Sequence, residues 1–139
     1  MKVRLSFYLA ASVIVAVLST QSGGEVRPKA ASFAAAPIAT LSTDRISFIC
    51  DVYTRFYCKD ATVTLTNTGN AALDISRIGI EWGPSLFSET NNCGTVLLPG
   101  KSCTIYLYWK GTNGIGTLGI LDNSGSGHQA VLLFGETWP

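Results

Sequence analysis

The chain has 139 residues and a formal net charge of +1, from 10 Lys and Arg against 9 Asp and Glu, and only 14% of it is charged. That length fits one domain, and no basic stripe is present to track phosphates, which argues against nucleic acid as a partner. Four cysteines without a CxxC spacing and a single histidine argue against zinc and for disulfides.

Residues 1–22 read as a secretory signal. Lys2 and Arg4 precede an apolar run from Leu5 to Leu18, and small or polar residues follow to Ser22. The run is shorter than the roughly 20 residues a membrane span needs. No span is expected after cleavage, and the mature chain is expected to be secreted or periplasmic. Residues 23–37, GGEVRPKAASFAAAP, hold Gly, Pro and Ala without apolar periodicity, the composition of a flexible leader.

The folded domain is expected over 38–139. Ile38–Ser42 and Arg45–Ile49 form a first strand broken at Thr43-Asp44, and Cys50 to Cys58 enclose a short loop. Val63 and Leu65 then alternate with Thr62, Thr64 and Thr66, the period of a half-buried strand. Asn67 to Asn70 make a turn. After Leu73 and Ile75 the apolar phase shifts to Ile78, Ile80 and Trp82, which places a β-bulge near Ser76-Arg77. Gly83-Pro84 ends that strand, and Leu86–Glu89 is a short one. Past Cys103, Ile105, Leu107 and Trp109 share one side and Thr104, Tyr106 and Tyr108 the other. Leu118 with Ile120, and Val131 with Leu133, complete about seven strands with no helix between them, an all-β sandwich. Cys50–Cys58 and Cys93–Cys103 are read as two local disulfides, because each pair flanks a turn.

In order, Phe48, the Leu65-x-Asn67-x-Gly69 strand end, Leu73 and Ile75, and Phe87 are followed by Asn92-Cys93-Gly94, Leu98, Gly100, Ser102-Cys103, Ile105, Leu107 and Trp109. Gly116, Leu118, Ile120, Asp122-Asn123, Val131, Leu133 and Gly135 close the series. This pattern resembles the ASH/Hydin-type immunoglobulin-like domains, including the "choice-of-anchor D" modules of bacterial secreted proteins. The resemblance implies an immunoglobulin-like sandwich used for attachment or assembly, with no catalytic site. Two departures stand out: Trp109-Lys110-Gly111 replaces the family's F-x-P, and Cys50 with Cys58 is an addition.

Catalytic chemistry finds little footing. His128 is the only histidine, and Ser124, Ser126 and Asp122 would crowd with it into one turn, whereas a triad needs a base held on a rigid frame. The Asp122–Gly127 loop has one carboxylate, and Leu133 stands where a calcium loop needs its bidentate Glu. Neither metal nor cofactor is expected. The informative residues are apolar ones on outward strand positions: Tyr106, Tyr108, Leu132 and Phe134. They predict a non-enzymatic binding, attachment or assembly module whose partner is a protein or cell-envelope component. The alternative is a secreted structural or inhibitor-like protein acting through the Cys50–Cys58 loop.

Overall fold

In the computed structural model, residues 34–51 and 60–138 are described. They form β1 (Ala39–Leu41), β2 (Arg45–Asp51), β3 (Ala61–Asn67), β4 (Leu73–Trp82), β5 (Phe87–Asn91), β6 (Val96–Leu97), β7 (Ser102–Trp109), β8 (Gly114–Asp122) and β9 (His128–Trp138). One sheet runs β1-β3-β7-β5 and the other β2-β9-β8-β4-β6. All pairings are antiparallel except β2 with β9.

Alternation sorts the side chains. Val63, Leu65, Ile105 and Leu107 from the first sheet meet Leu118, Ile120, Val131 and Leu133 from the second in one fully buried core. Each such side chain contributes about 1.5–3 kcal/mol by leaving water. At one end of the core Phe48 stacks near Phe87 and Trp109, with ring centroids 5.7 and 6.4 Å away. Gly116 and Gly135 make that cluster possible. A side chain at Gly116 would stand 2.6 Å from the Phe87 ring, and one at Gly135 would collide with the Trp109 indole.

Nine strands among the described residues replace the expected seven or so. The broken first strand is two strands in different sheets: β1 pairs with β3 and β2 with β9. Thr43 fixes the crossing by accepting from the Arg45 amide (3.2 Å) and donating to its carbonyl (2.8 Å). The added β6 is two residues long, too short for periodicity to reveal, and pairs with Leu73 and Asp74.

The bulge expected near Ser76-Arg77 is present, since the β4–β8 register shifts between Ile75 and Arg77. A second shift separates Ile80 from Trp82. It overturns the grouping of Trp82 with Ile78 and Ile80. Those two pack against the core, while Trp82 pairs with Thr117 and is 70% exposed.

One of the two expected disulfides lies within the described residues: Cys93–Cys103, with a Cα separation of 4.8 Å and both cysteines buried. Its loop closes through the Leu98–Lys101 turn, where Lys101 N–H donates to the Leu98 carbonyl at 3.0 Å. Pro99 and Gly100 are the central pair, and Gly100 has the positive φ (74°) that a type II turn requires. Cys50 is fully buried in the core at the end of β2. Cys58, and hence the Cys50–Cys58 pairing, lies outside the described residues, as does the signal expected over 1–22.

The chain just ahead of β1 is tied to the turn that follows β3. Ala36 N–H already donates to Asn70 Oδ1 (2.8 Å), and the Asn70 amide returns a bond to the Ala36 carbonyl (3.1 Å). Asn67 organises this corner although its side chain is completely buried. Its Nδ2 donates to the carbonyls of Ala71 (2.7 Å) and Leu97 (2.8 Å), and its Oδ1 accepts from the Gly69 amide (3.0 Å) and, at 3.4 Å, from Ile38. The Asn67–Asn70 turn, Ile38 ahead of β1, and β6 thus meet at one side-chain amide.

Candidate functional site

The outer faces of the two sheets differ in chemistry. On the four-stranded sheet, Thr62, Thr64 and Thr66 of β3 lie beside Tyr106, Thr104 and Ser102 of β7. Tyr106 faces Thr90 on its other side, and Tyr108 faces Ser88. Thr40 of β1 occupies the far edge opposite Thr66. Every outward position of this sheet therefore carries a hydroxyl. Some satisfy one another: Thr66 Oγ1 and Ser102 Oγ are 2.7 Å apart, and Thr40 and Thr68 2.9 Å. Tyr106 and Tyr108 are 41% and 37% exposed, roughly 7 Å apart along the strand.

The five-stranded sheet shows Leu132 and Phe134 on its outer face, opposite Thr117 and Ile115 of β8. The four partner residues expected from sequence thus divide into two pairs on opposite sides of the molecule. Phe134 is also less free than expected, because the Arg45 guanidinium carbon sits 4.5 Å from its ring centroid. A cation–π contact of this kind contributes about 0.5–1 kcal/mol.

Trp82, which alternation assigned to the core, is the most exposed large apolar residue on this second face. Two residues of β4 oppose one of β8 at the Glu81-Trp82 bulge, and the extra residue turns Trp82 outward. Beside it Ile115 is 55% exposed, and Leu132, one strand further across Thr117, is 46% exposed. Trp82 and Ile115 rim an open depression of about 380 Å³, floored by Gly83 to Leu86. The floor is tightly built. A Cβ at Gly83 would lie 2.8 Å from the Ile115 carbonyl, one at Gly116 would lie 2.9 Å from the Trp82 carbonyl, and one at Gly114 would collide with Leu86.

Charge also marks this face. Glu81 lies across Gly119, occupying the space a side chain there would take, and its Oε2 reaches His128 Nε2 at 3.0 Å. His128 is thereby directed away from the 122–127 loop. Within that loop Asp122 Oδ1 accepts from the Ser124 amide (2.8 Å), and Gln129 Nε2 donates to the Ser124 hydroxyl (3.1 Å). Among the described residues no group of three His, Cys, Asp or Glu stands close enough to hold a metal ion. No helix among them is long and apolar enough to cross a membrane.

Neither a protein-family model nor a curated protein matches the sequence. Solved structures match the fold. A protein of unknown function from Porphyromonas gingivalis W83 is 14% identical, with a TM-score of 0.59, over 76% of this chain and 50% of that one. The Vibrio cholerae VesB protease is 13% identical, with a TM-score of 0.54, over 73% of this chain and 32% of the protease. Domains 4 and 5 of the S-layer protein SbsC are 11% identical, with a TM-score of 0.50, over 71% of this chain and 53% of that one. The chain thus spans about half or less of each, and at these identities the likeness is one of fold.

Proposed function

We propose that this chain is an extracytoplasmic, non-enzymatic binding module, an immunoglobulin-like sandwich of the ASH or choice-of-anchor D kind. It attaches to a protein of the cell envelope through the outer face of its five-stranded sheet. One observation carries the reading: the bulge at Glu81-Trp82 turns an indole out to solvent, 70% exposed, above a closely packed stretch from Gly83 to Leu86. An exposed Trp on a rigid base, flanked by aliphatic side chains, has the makeup of an interface anchor. The buried disulfide supports an oxidising compartment. The surface-layer protein among its fold neighbours agrees with that placement.

The test is capture from native cell envelope by the wild-type chain and by Trp82→Ala and Ile115→Ser. The expected result is a protein retained by the wild type and lost by both variants, while their thermal unfolding stays close to wild type. Equal retention by folded variants overturns the reading. The alternative, action through the Cys50–Cys58 loop, is motivated by Cys50, whose burial at the end of β2 holds one end of the loop in the core. Replacing residues 51–57 with Gly and Ser abolishes function under that reading alone.

A further inference from the structure

The geometry of the four-stranded sheet points to a second binding site, and we infer that its outer face binds a neutral polysaccharide strand. Two properties of the face lead there. First, its outward positions are all Ser, Thr or Tyr, with no charged side chain among them. Glu89, the one acidic residue of β5, lies on the other side of that strand and accepts from Asn91 Nδ2 at 3.1 Å. Lys110, just past β7, is turned to the Pro84 carbonyl at 2.9 Å. Solvated β-surfaces commonly carry Lys or Glu, which add solubility and guard against edge pairing. Here that role is left to hydroxyls alone.

Second, the two aromatic rings of the face are next to one another on its central strand β7, Tyr106 with hydroxyls on both sides and Tyr108 with one beside it. Thr62 and Thr90 bracket Tyr106, and Ser88 adjoins Tyr108. A sugar ring has an apolar C–H face and a rim of hydroxyls. The first matches the face of a tyrosine, which is apolar in body and polar at its tip. The second matches Ser and Thr hydroxyls, each able to donate one hydrogen bond and accept two. Charge stands only at the margin of the face, with Asp60 just ahead of β3 and Lys110 just past β7. A neutral ligand matches the uncharged rows between them, since burying an uncompensated ion there would be costly. The paired register of β3, β7 and β5 sets the rings and hydroxyls in rows, a preformed platform that needs little ordering on binding.

The experiment is affinity electrophoresis of the purified full chain through gels containing a neutral β-glucan, a mannan or soluble glycol chitin, with alginate as the acidic control. Retardation is expected in at least one neutral gel and none in alginate. Tyr106→Ala/Tyr108→Ala should weaken that retention about tenfold or more. Thr62→Val/Thr90→Val keeps β-propensity and shape while removing two hydroxyls, and should weaken it several-fold without unfolding. Leu132→Ser, on the other face, should leave it unchanged. No retardation in any neutral gel, equal retardation in alginate, or indifference to both the tyrosine and threonine pairs overturns the inference. So does concentration-dependent self-association in sedimentation that the tyrosine variant abolishes, since the face would then be covered by a second copy.

Discussion

Two sheets share one core here and present opposite chemistries to the outside. The four-stranded face is a field of hydroxyls around Tyr106 and Tyr108. The five-stranded face sets Trp82, Ile115 and Leu132 among Arg45, Glu81 and His128. Both are outward faces of β-strands that alternate in the same way. Outwardness is thus a property of the strand period, whereas the company a residue keeps is set by pairing between strands far apart in sequence. Tyr108 and Leu132 look equivalent in sequence but belong to different surfaces.

The comparison breaks altogether if the core that holds the faces back to back is forced open. Gly135→Ala places a methyl where the Trp109 indole packs, and the ring must leave its site beside Phe48 and its 2.7 Å bond to the Thr112 carbonyl. The expected cost is about 3–4 kcal/mol, in the range of losing a buried aromatic, read as a lower denaturation midpoint with both binding activities lost in step. Asn67→Ala should cost about 3 kcal/mol, because the carbonyls of Ala71 and Leu97 and the Gly69 amide lose a buried partner together. Cys93→Ser/Cys103→Ser should cost about 2–3 kcal/mol by freeing a short loop in the unfolded chain. Wild type under reducing conditions should lose at least as much. If the variant instead melts with the oxidised wild type, the loop is held by its turn and by β6 alone.

The core was legible in the sequence, and the pairing was not. Val63, Leu65, Ile105, Leu107 and Trp109 alternate so regularly that their burial follows from period two. The bulge at Ser76-Arg77 could be read because apolar residues lie on both sides of it and their phase changes. The bulge at Glu81-Trp82 leaves no such mark, since a Trp looks in place after Ile78 and Ile80. Its nearest hint is across the sheet at Gly116, whose missing side chain leaves space for Phe87 and the Trp82 carbonyl. The parallel pairing of β2 with β9 joins segments near opposite ends of the fold, and no local pattern in either strand announces it. Asn67 was visible as a turn residue, but its bonds to Ile38 and Leu97 depend on chain brought back from either side.

Smaller changes confined to one face should sharpen the contrast. Gly119→Ala displaces the flexible end of Glu81 rather than a packed ring, so it should shift stability by less than about 1 kcal/mol. The contrast with Gly135, buried on the opposite side of the same sheet, is the informative quantity. NMR of the His128 ring should report loss of the Glu81 contact with the rest of the spectrum in place.

The smallest expected effect on stability comes from repainting the apolar face. Ile115→Thr/Leu132→Thr replaces two exposed aliphatic residues by one with comparable β-propensity, and should change unfolding by no more than about 0.5 kcal/mol per site. Capture through Trp82 should fall, because the indole loses the aliphatic neighbours that keep water from its rim. The repainted face should nonetheless gain no retention on neutral polysaccharide, since threonines without a tyrosine pair supply hydrogen bonds that water already offers. If that double variant acquires a second polysaccharide site, hydroxyl density alone explains the binding and Tyr106 and Tyr108 lose their assigned part.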